Sequence, residues 1–261
     1  MANPMYGSNK LDNQLDAMAN GKKQVYRFGT PPVVNDYEHT ANALADGTAL
    51  DTVLHVYADG LSITWAALVG QAINIPAPTA TGINYAGDQT NNDGIELVYS
   101  CVTAKGREGV DRFTVGKQAF SAEWEFSIAV VAGTDVGNCG FRKVEALAAD
   151  LHAYDEMAWL WPISGDIKLQ TIINNATTVT TDTTANWADT EIHSLKVLVA
   201  KDGAVTYKID GADPSTTAAF SFDAGEVVTP FLSFLQASGA QTGALVVRKL
   251  TVESDNGSME A

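Results

Sequence analysis

The sequence predicts an all-β protein built as a sandwich of two antiparallel sheets. About ten short runs rich in β-branched and aromatic residues, separated by turn residues, fill the chain beyond residue 90. One of them, Phe120–Val131, alternates apolar and polar side chains, as a half-buried strand does. Near the C-terminus, Lys201-Asp202-Gly203 joins two alternating arms, which is typical of a β-hairpin. Together these features favour strands throughout and a core between two sheets.

Composition is consistent with one large β domain or two small ones. The chain has 261 residues, of which 46% are hydrophobic, so wholesale disorder is excluded. A chain of this length buries a sizeable core without disulfides or a structural metal. Cys101 and Cys139 fit no metal or redox spacing. We expect both to be buried reduced thiols, with a single bridge between them as the open alternative.

The formal net charge of −15 disfavours two classes of partner. Nucleic-acid phosphates and anionic lipids are both bound through clustered Lys and Arg, which this chain lacks. No apolar run approaches the length of a membrane span, and the N-terminal residues show no signal-peptide pattern. We therefore expect synthesis in a cytosol, with no direct contact with nucleic acid or membrane.

Residues 1–84 differ in character from the rest. Five of the eight prolines lie in residues 1–90, between weakly patterned pieces. Leu11–Ala19 has helical spacing, whereas Leu54–Tyr57 and Leu61–Trp65 flank Asp59-Gly60 and predict a hairpin. Two interpretations stay open: an extended N-terminal arm that lies on another surface, or a small β subdomain. A jelly-roll-like sandwich is expected over residues 85–261.

Within the sandwich, the predicted strands follow in order. The first is Ile95–Cys101, a β-rich run after Asp93-Gly94. In the second, Phe120–Val131, one face carries Phe120, Ala122, Trp124, Phe126 and Ile128, and the other carries Glu123, Glu125 and Ser127. Only Val144–Tyr154 has helical propensity, and it is predicted as one short helix or a loop. Pro230 is placed at the opening of its strand, where a missing N–H is tolerated. The other predicted strands are Gly140–Val144, Met157–Leu160, Asp166–Asn174, Leu195–Val199, Val205–Ile209, Phe220–Asp223, Val228–Leu235 and Ala244–Glu253.

The C-terminal half carries a recognisable order of motifs. Trp187 precedes the strand His193–Val197, the turn Lys201-Asp202-Gly203 follows, and the next strand ends in Ile209-Asp210-Gly211. Further on come Phe220–Asp223 and a strand that begins Val228-Thr229-Pro230. This order resembles concanavalin A-like (laminin G-like) jelly-roll domains. The resemblance covers about residues 85–255. Within this fold, the chain is most similar to jelly rolls of tailed-phage virion proteins, above all capsid decoration (cement) proteins.

That resemblance implies a structural role rather than an enzymatic one. The expected protein is a homotrimer on the exterior of a phage capsid, bound to the major capsid protein and needing no cofactor. Negative charge concentrates on the sandwich, since residues 91–261 carry twelve basic and twenty-three acidic residues. The arm is closer to neutral and supplies the expected contacts, which are large apolar or aromatic groups. These are Tyr6, Leu11, Leu15, Tyr26, Phe28 and Tyr37.

Two other functions stay open. The first is a carbohydrate-binding module of a phage fibre or host-recognition protein, for which Trp159, Trp161 and Trp187 are candidate sugar platforms unless they are core residues. Calcium ligands for such a module would come from turn acids and amides, although their spacing matches no calcium loop and turns also use these residues. They are Asp88, Asn91, Asn92 and Asp93, and Asp210, Asp213 and Asp223.

The second is a glycoside hydrolase. Glu123 and Glu125 place two carboxylates on one strand face, as retaining jelly-roll glucanases do, but the third acid of that pattern is missing. A solvated strand face explains the same residues. The four histidines, His39, His55, His152 and His193, are scattered and support no transition-metal site.

Overall fold

The computed structural model describes ten ranges of the chain. Before residue 113, most of the description is of the backbone alone. The ranges are 23–27, 53–58, 61–67, 77–79, 81–85, 94–98, 113–131, 136–145, 152–235 and 245–255.

Sixteen strands make up the described chain. In chain order they are β1 (Lys23–Arg27), β2 (Val53–Ala58), β3 (Leu61–Ala67), β4 (Ala77–Thr79), β5 (Gly82–Tyr85), β6 (Gly94–Val98), β7 (Phe113–Thr114), β8 (Phe120–Ile128), β9 (Val136–Lys143), β10 (Met157–Ile163), β11 (Asp166–Ile172), β12 (Val179–Asn186), β13 (Ile192–Val199), β14 (Val205–Ile209), β15 (Val227–Leu235) and β16 (Leu245–Ser254).

These strands form two antiparallel sheets. Sheet A has seven strands in the order β14-β13-β8-β16-β5-β4, with β1 also paired to β16. Sheet B has nine strands in the order β12-β11-β10-β9-β15-β6-β3-β2, with β7 also paired to β15. The described ranges contain no helix, and therefore none that is long and apolar enough to cross a membrane. The predicted fold class, an all-β sandwich of two antiparallel sheets, is confirmed.

The strands found within residues 1–84 pair with strands of both sheets. β2 and β3 pair antiparallel, with Ala58 opposite Leu61, and β3 continues sheet B onto β6. β5 and β1 pair with the two halves of β16 in sheet A. The helical stretch predicted at Leu11–Ala19 lies outside the described residues, and the domain boundary at residue 84 stays a prediction.

The buried side of β8 matches the predicted alternation. Trp124 and Phe126 are fully buried, as are the other three apolar residues of that face. Phe126 stacks on Trp161 of sheet B at a centroid distance of 5.5 Å and lies 4.8 Å from the ring of Trp187. The sheets are therefore joined by an aromatic cluster rather than by aliphatic contacts alone.

One glycine makes room for this cluster. A Cβ atom on Gly137 of β9 would lie 2.1 Å from the indole of Trp161, closer than any real carbon–carbon contact. Only a residue without a side chain lets the ring lie against the strand. Sequence alone gave no sign of this packing, because the two residues lie on different strands.

Pro230 departs from its predicted position at the opening of a strand. It is the fourth residue of β15, with Phe141 of β9 opposite it. On the other side of β15, the pairing with β7 ends at Val228 and the pairing with β6 begins at Phe231. Among the described residues, Pro230 has no partner on that side, and a strand position without a ladder hydrogen bond tolerates proline.

Candidate functional site: a polar groove on sheet A

The solvent side of sheet A carries charged residues on its central strands. Glu123 and Glu125 of β8 are both half-buried, and both point away from the core face defined by Trp124 and Phe126. The antiparallel register sets Glu123 opposite Lys196 of β13. The prediction that the two carboxylates share one strand face is confirmed.

Most charges on this face are already paired. The Lys249 ammonium lies 2.8 Å from Glu125, and the Lys196 ammonium lies 2.5 Å from Glu253. Within the described residues, Glu123 has neither a hydrogen bond nor an ion pair. Among these residues, a ligand could therefore bind the Glu123 carboxylate without displacing an internal contact.

A shallow groove of about 340 Å³ opens beside these carboxylates. Its lining comes from β8, from the first residues of β13, which lies next to β8, and from the turn after β14, which lies on the far side of β13. The described lining residues include no Lys and no Arg. They are Glu123, Glu125, Ile192, His193, Ser194, Asp210 and Gly211.

Hydrogen bonds around His193 fix the side chains at one end of the groove. The ring contacts Asp210 through Nδ1 at 2.6 Å and Glu191 through Nε2 at 3.2 Å. The imidazolium form donates to both carboxylates at once. Asp210 also accepts the Ser194 backbone N–H at 2.8 Å, which ties the end of β14 to the start of β13.

Backbone conformation explains why Asp210 reaches this network. Asp210 has a φ of 51° and Gly211 a φ of 80°, both in the left-handed region that Asp and Gly tolerate in tight turns. Glu191 on the opposite side also accepts the Ala188 backbone N–H at 2.9 Å. That bond and the contact with His193 hold the pKa of Glu191 below its ordinary value.

This arrangement offers hydrogen-bond acceptors and donors at fixed positions. Glu125 is ion-paired, and Ser127 and Ile128, which follow where a third acid would be needed, are both buried. Only Glu123 of the strand pair is left unpartnered among the described residues, so the groove supplies one free carboxylate rather than two. The expectation that the chain is not an enzyme stays a prediction.

The turn acids considered as calcium ligands do not come together. Asp210 lies in the groove, Asp213 is 3.0 Å from the Lys208 ammonium, and Asp223 contacts Glu156 through its backbone N–H. No group of three or more His, Cys, Asp or Glu side chains suited to a metal is present in the described ranges. The second set, Asp88, Asn91, Asn92 and Asp93, lies outside the described residues.

The tryptophans proposed as sugar platforms belong to the core. Trp159 and Trp161 are 0% exposed and Trp187 is 2% exposed, so none presents a ring face to solvent. Cys139 is a free, buried thiol, and burial raises its pKa well above the ordinary value. Cys101 lies outside the described residues.

The predicted assembly contacts fall where the structure gives no side chains. Tyr26 lies in β1 opposite Leu250, but only its backbone is described. Tyr6, Leu11, Leu15, Phe28 and Tyr37 lie outside the described residues. Their role as an interface stays a prediction.

Sequence reasoning found some members of the groove and missed others. The sequence pattern points to Glu123, Glu125 and Asp210 as candidate site residues. It shows His193 only as one of four scattered histidines. The predicted hairpin contained the missing signal, because its register sets Asp210 beside Ser194 and therefore close to His193. Ile192 and Glu191 carried no sequence signal of their own.

Comparisons with known proteins add structural likenesses at low scores. No family model and no curated protein sequence matches the chain. The carbohydrate recognition domain of Emp47p is similar with a TM-score of 0.45 and 12% identity, over 69% of this chain and 91% of that one. A carbohydrate-binding module, CBM66 from Bacillus subtilis, gives 0.46 and 13%, over 72% and 94%. A protein of unknown function from Shewanella oneidensis MR-1 gives 0.48 and 10%, over 100% and 99%. These scores are too low to transfer a ligand or a role to this chain.

Proposed function

We propose that this chain is a carbohydrate-binding β-sandwich that holds its glycan in the groove on sheet A without cleaving it. The observation that carries the proposal is the groove itself, a concave polar surface in which one carboxylate, Glu123, is unpartnered among the described residues. Binding sites are concave and carry a few fixed polar groups. His193 and Asp210 are polar groups of this kind, because hydrogen bonds fix their positions.

The chemistry of the lining residues fits a polyhydroxylated ligand. An ionised carboxylate accepts hydrogen bonds from hydroxyl groups on both of its oxygens, so Glu123 suits a pair of neighbouring sugar hydroxyls. The Ser194 hydroxyl is both donor and acceptor. Ile192 is 51% exposed at the rim, where its apolar surface packs against the C–H face of a pyranose ring.

Side chains that are already fixed favour binding, because they lose little conformational entropy when a ligand binds. Asp210 already accepts two hydrogen bonds, and Glu191 accepts one from the backbone and contacts His193. These side chains therefore need no rearrangement when a ligand binds. Open, shallow grooves of this kind give modest affinity, so a dissociation constant on the order of 10⁻⁴ M is expected.

The test is binding to a panel of oligosaccharides, followed by calorimetry on the best ligand. Glu123→Gln removes the free charge and should weaken binding about tenfold or more, since it replaces charge-assisted hydrogen bonds with neutral ones. Asp182→Asn is the matched control, because Asp182 is an exposed acid of sheet B paired with Lys168. A wild-type protein that binds no oligosaccharide, or a Glu123→Gln variant that binds as well as Asp182→Asn, would contradict the proposal.

The capsid decoration role predicted from the sequence makes a different demand. A decoration protein co-sediments with phage capsids and does so equally well after Glu123→Gln, because its contacts are expected in residues 1–84. Capsid binding without glycan binding would favour that role, and the reverse would favour the groove. Retention of the intact oligosaccharide after long incubation checks that no hydrolysis occurs.

A further inference from the structure

A second acidic site lies away from the groove, at the start of β10. The residue before that strand, Glu156, is 0% exposed. One of its carboxyl oxygens, Oε2, accepts the Asp223 backbone N–H at 3.3 Å. The other, Oε1, is buried and has no hydrogen-bond partner among the described residues. A buried carboxyl group with an unsatisfied oxygen is costly when ionised, and this cost calls for a physical explanation.

The carboxyl group faces a turn that is itself acidic. Asp223 and Glu226 begin and end this turn, and the Glu226 N–H donates to the Asp223 carbonyl at 3.2 Å. The turn is attached to the residue after β7 by two hydrogen bonds, from the Gly225 N–H to the Val115 carbonyl and from the Val115 N–H to the Glu226 carbonyl, both 2.9 Å. Movement of the turn would therefore break a small and identifiable set of bonds.

The cationic side chains of the adjacent strand β9, Lys143 and Arg142, already contact other groups. The Lys143 ammonium of β9 lies 2.7 Å from Asp155 and 3.0 Å from Glu226. On the same strand, the Arg142 guanidinium lies over the ring of Tyr154, 4.1 Å from its centroid, and donates to the Lys143 carbonyl. Lys143 therefore counters two other carboxylates and is not bonded to that of Glu156.

These surroundings act on the proton affinity of Glu156. Burial raises its pKa to about 7, and the Asp223 and Glu226 carboxylates add to the rise, while the Asp223 N–H opposes it. The protonated form is neutral and can donate to the Asp223 side chain. The ionised form is a third negative charge against the turn.

We propose that Glu156 is a pH-sensitive latch on the turn formed by residues 223–226. In the protonated state its carboxyl group lies against the turn and the two bonds to Val115 hold. When the proton is lost, the carboxylate gains water only if the turn moves away, so the turn opens and those bonds break. The latch is separate from the groove and does not depend on the function proposed for it.

The test is hydrogen exchange of the full-length chain, followed by mass spectrometry, between pH 5.5 and pH 8.5. Exchange is corrected for the intrinsic dependence of amide exchange on pH. Protection in peptides that span residues 113–117 and 220–227 should fall about tenfold or more across this range, because each unit of pKa shift changes the open population tenfold. Peptides from β13 report global unfolding, so their protection should stay above that of the turn peptides at every pH.

Variants separate the latch from general loosening. Glu156→Gln keeps the shape but not the charge, and its protection should be independent of pH. Glu145→Gln is the matched control, since Glu145 accepts the Asp155 N–H and should leave the wild-type profile unchanged. If Glu156→Gln does not fold, Asp223→Asn removes one opposing charge and should move the midpoint of the profile to lower pH, because burial of Glu156 remains. A wild-type profile that is already flat, or a Glu156→Gln profile as steep as the wild type, would overturn the proposal.

Discussion

Gly137 is the position where one added methyl group should test the aromatic packing between the sheets. In Gly137→Ala, the new Cβ would lie 2.1, 2.3 and 2.6 Å from three atoms of the Trp161 indole. Ordinary carbon–carbon contacts are about 3.5–4.0 Å, so the ring or the strand has to move by roughly 1.5 Å. Trp161 is fully buried, so in a close-packed interior its ring can move only by displacing its neighbours.

The expected cost has two parts. Overpacking a filled core by one methyl group costs about 1–3 kcal/mol. A shift of Trp161 also disturbs its stacking on Phe126 at 5.5 Å and its contact with Phe234 at 5.8 Å, and such aromatic pairs contribute about 0.5–1.5 kcal/mol each. We expect Gly137→Ala to lower the free energy of unfolding by about 3 kcal/mol.

Urea unfolding followed by far-ultraviolet circular dichroism measures this difference. A double-mutant cycle provides the control, because Trp161→Phe shortens the ring that the methyl group meets. The double variant should be less destabilised than the sum of the two single variants. A cost below about 0.5 kcal/mol for Gly137→Ala, or strict additivity in the cycle, would refute the packing argument.

Three further predictions concern other buried groups. The pKa of Glu156 in the folded state, about 7, exceeds the ordinary value, so the folded state binds more protons than the unfolded state between about pH 4 and pH 7. The free energy of unfolding therefore falls as pH rises through this window, by up to roughly 3 kcal/mol. Urea titrations at pH 4.5 and pH 8 should show that Glu156→Gln removes this fall. Cys139, as the single thiol of a Cys101→Ser variant, should react with a thiol reagent at the rate of unfolding and immediately in denaturant, which absorbance at 412 nm follows. Thr183→Val should cost about 1–2 kcal/mol in urea unfolding, since it leaves the Ile167 carbonyl without its buried hydroxyl donor, whereas the exposed Thr184→Val should cost less.

Sequence predicted the local parts of this fold well because their signals are local. Alternation in Phe120–Val131 identified the core face of β8, and Lys201-Asp202-Gly203 identified the β13–β14 hairpin. The pairing of β16 with β8, β5 and β1 has no such signal, since apolar alternation says which face is buried but not which strand lies alongside.

The same distinction applies to the polar sites. The two carboxylates of β8 were found because residues two apart share a strand face. The burial of Glu156 was not foreseeable, because it depends on a turn 67 residues later in the chain that closes over it. The Gly137–Trp161 contact was missed for a similar reason, since it joins two strands by side-chain shape rather than by pattern.

The place of β16 in sheet A has a consequence for how the protein is made. This strand, which ends at Ser254, lies between β8 on one side and β5 and β1 on the other. During synthesis, β1 and β8 leave the ribosome long before the strand that joins them exists, so sheet A closes only when the last described residues emerge. Pairings this distant in sequence carry a large loop-closure entropy and fold slowly. Nascent chains stalled before residue 245 should therefore bind chaperones and be cut by protease in sheet A, and release of the full chain should restore resistance.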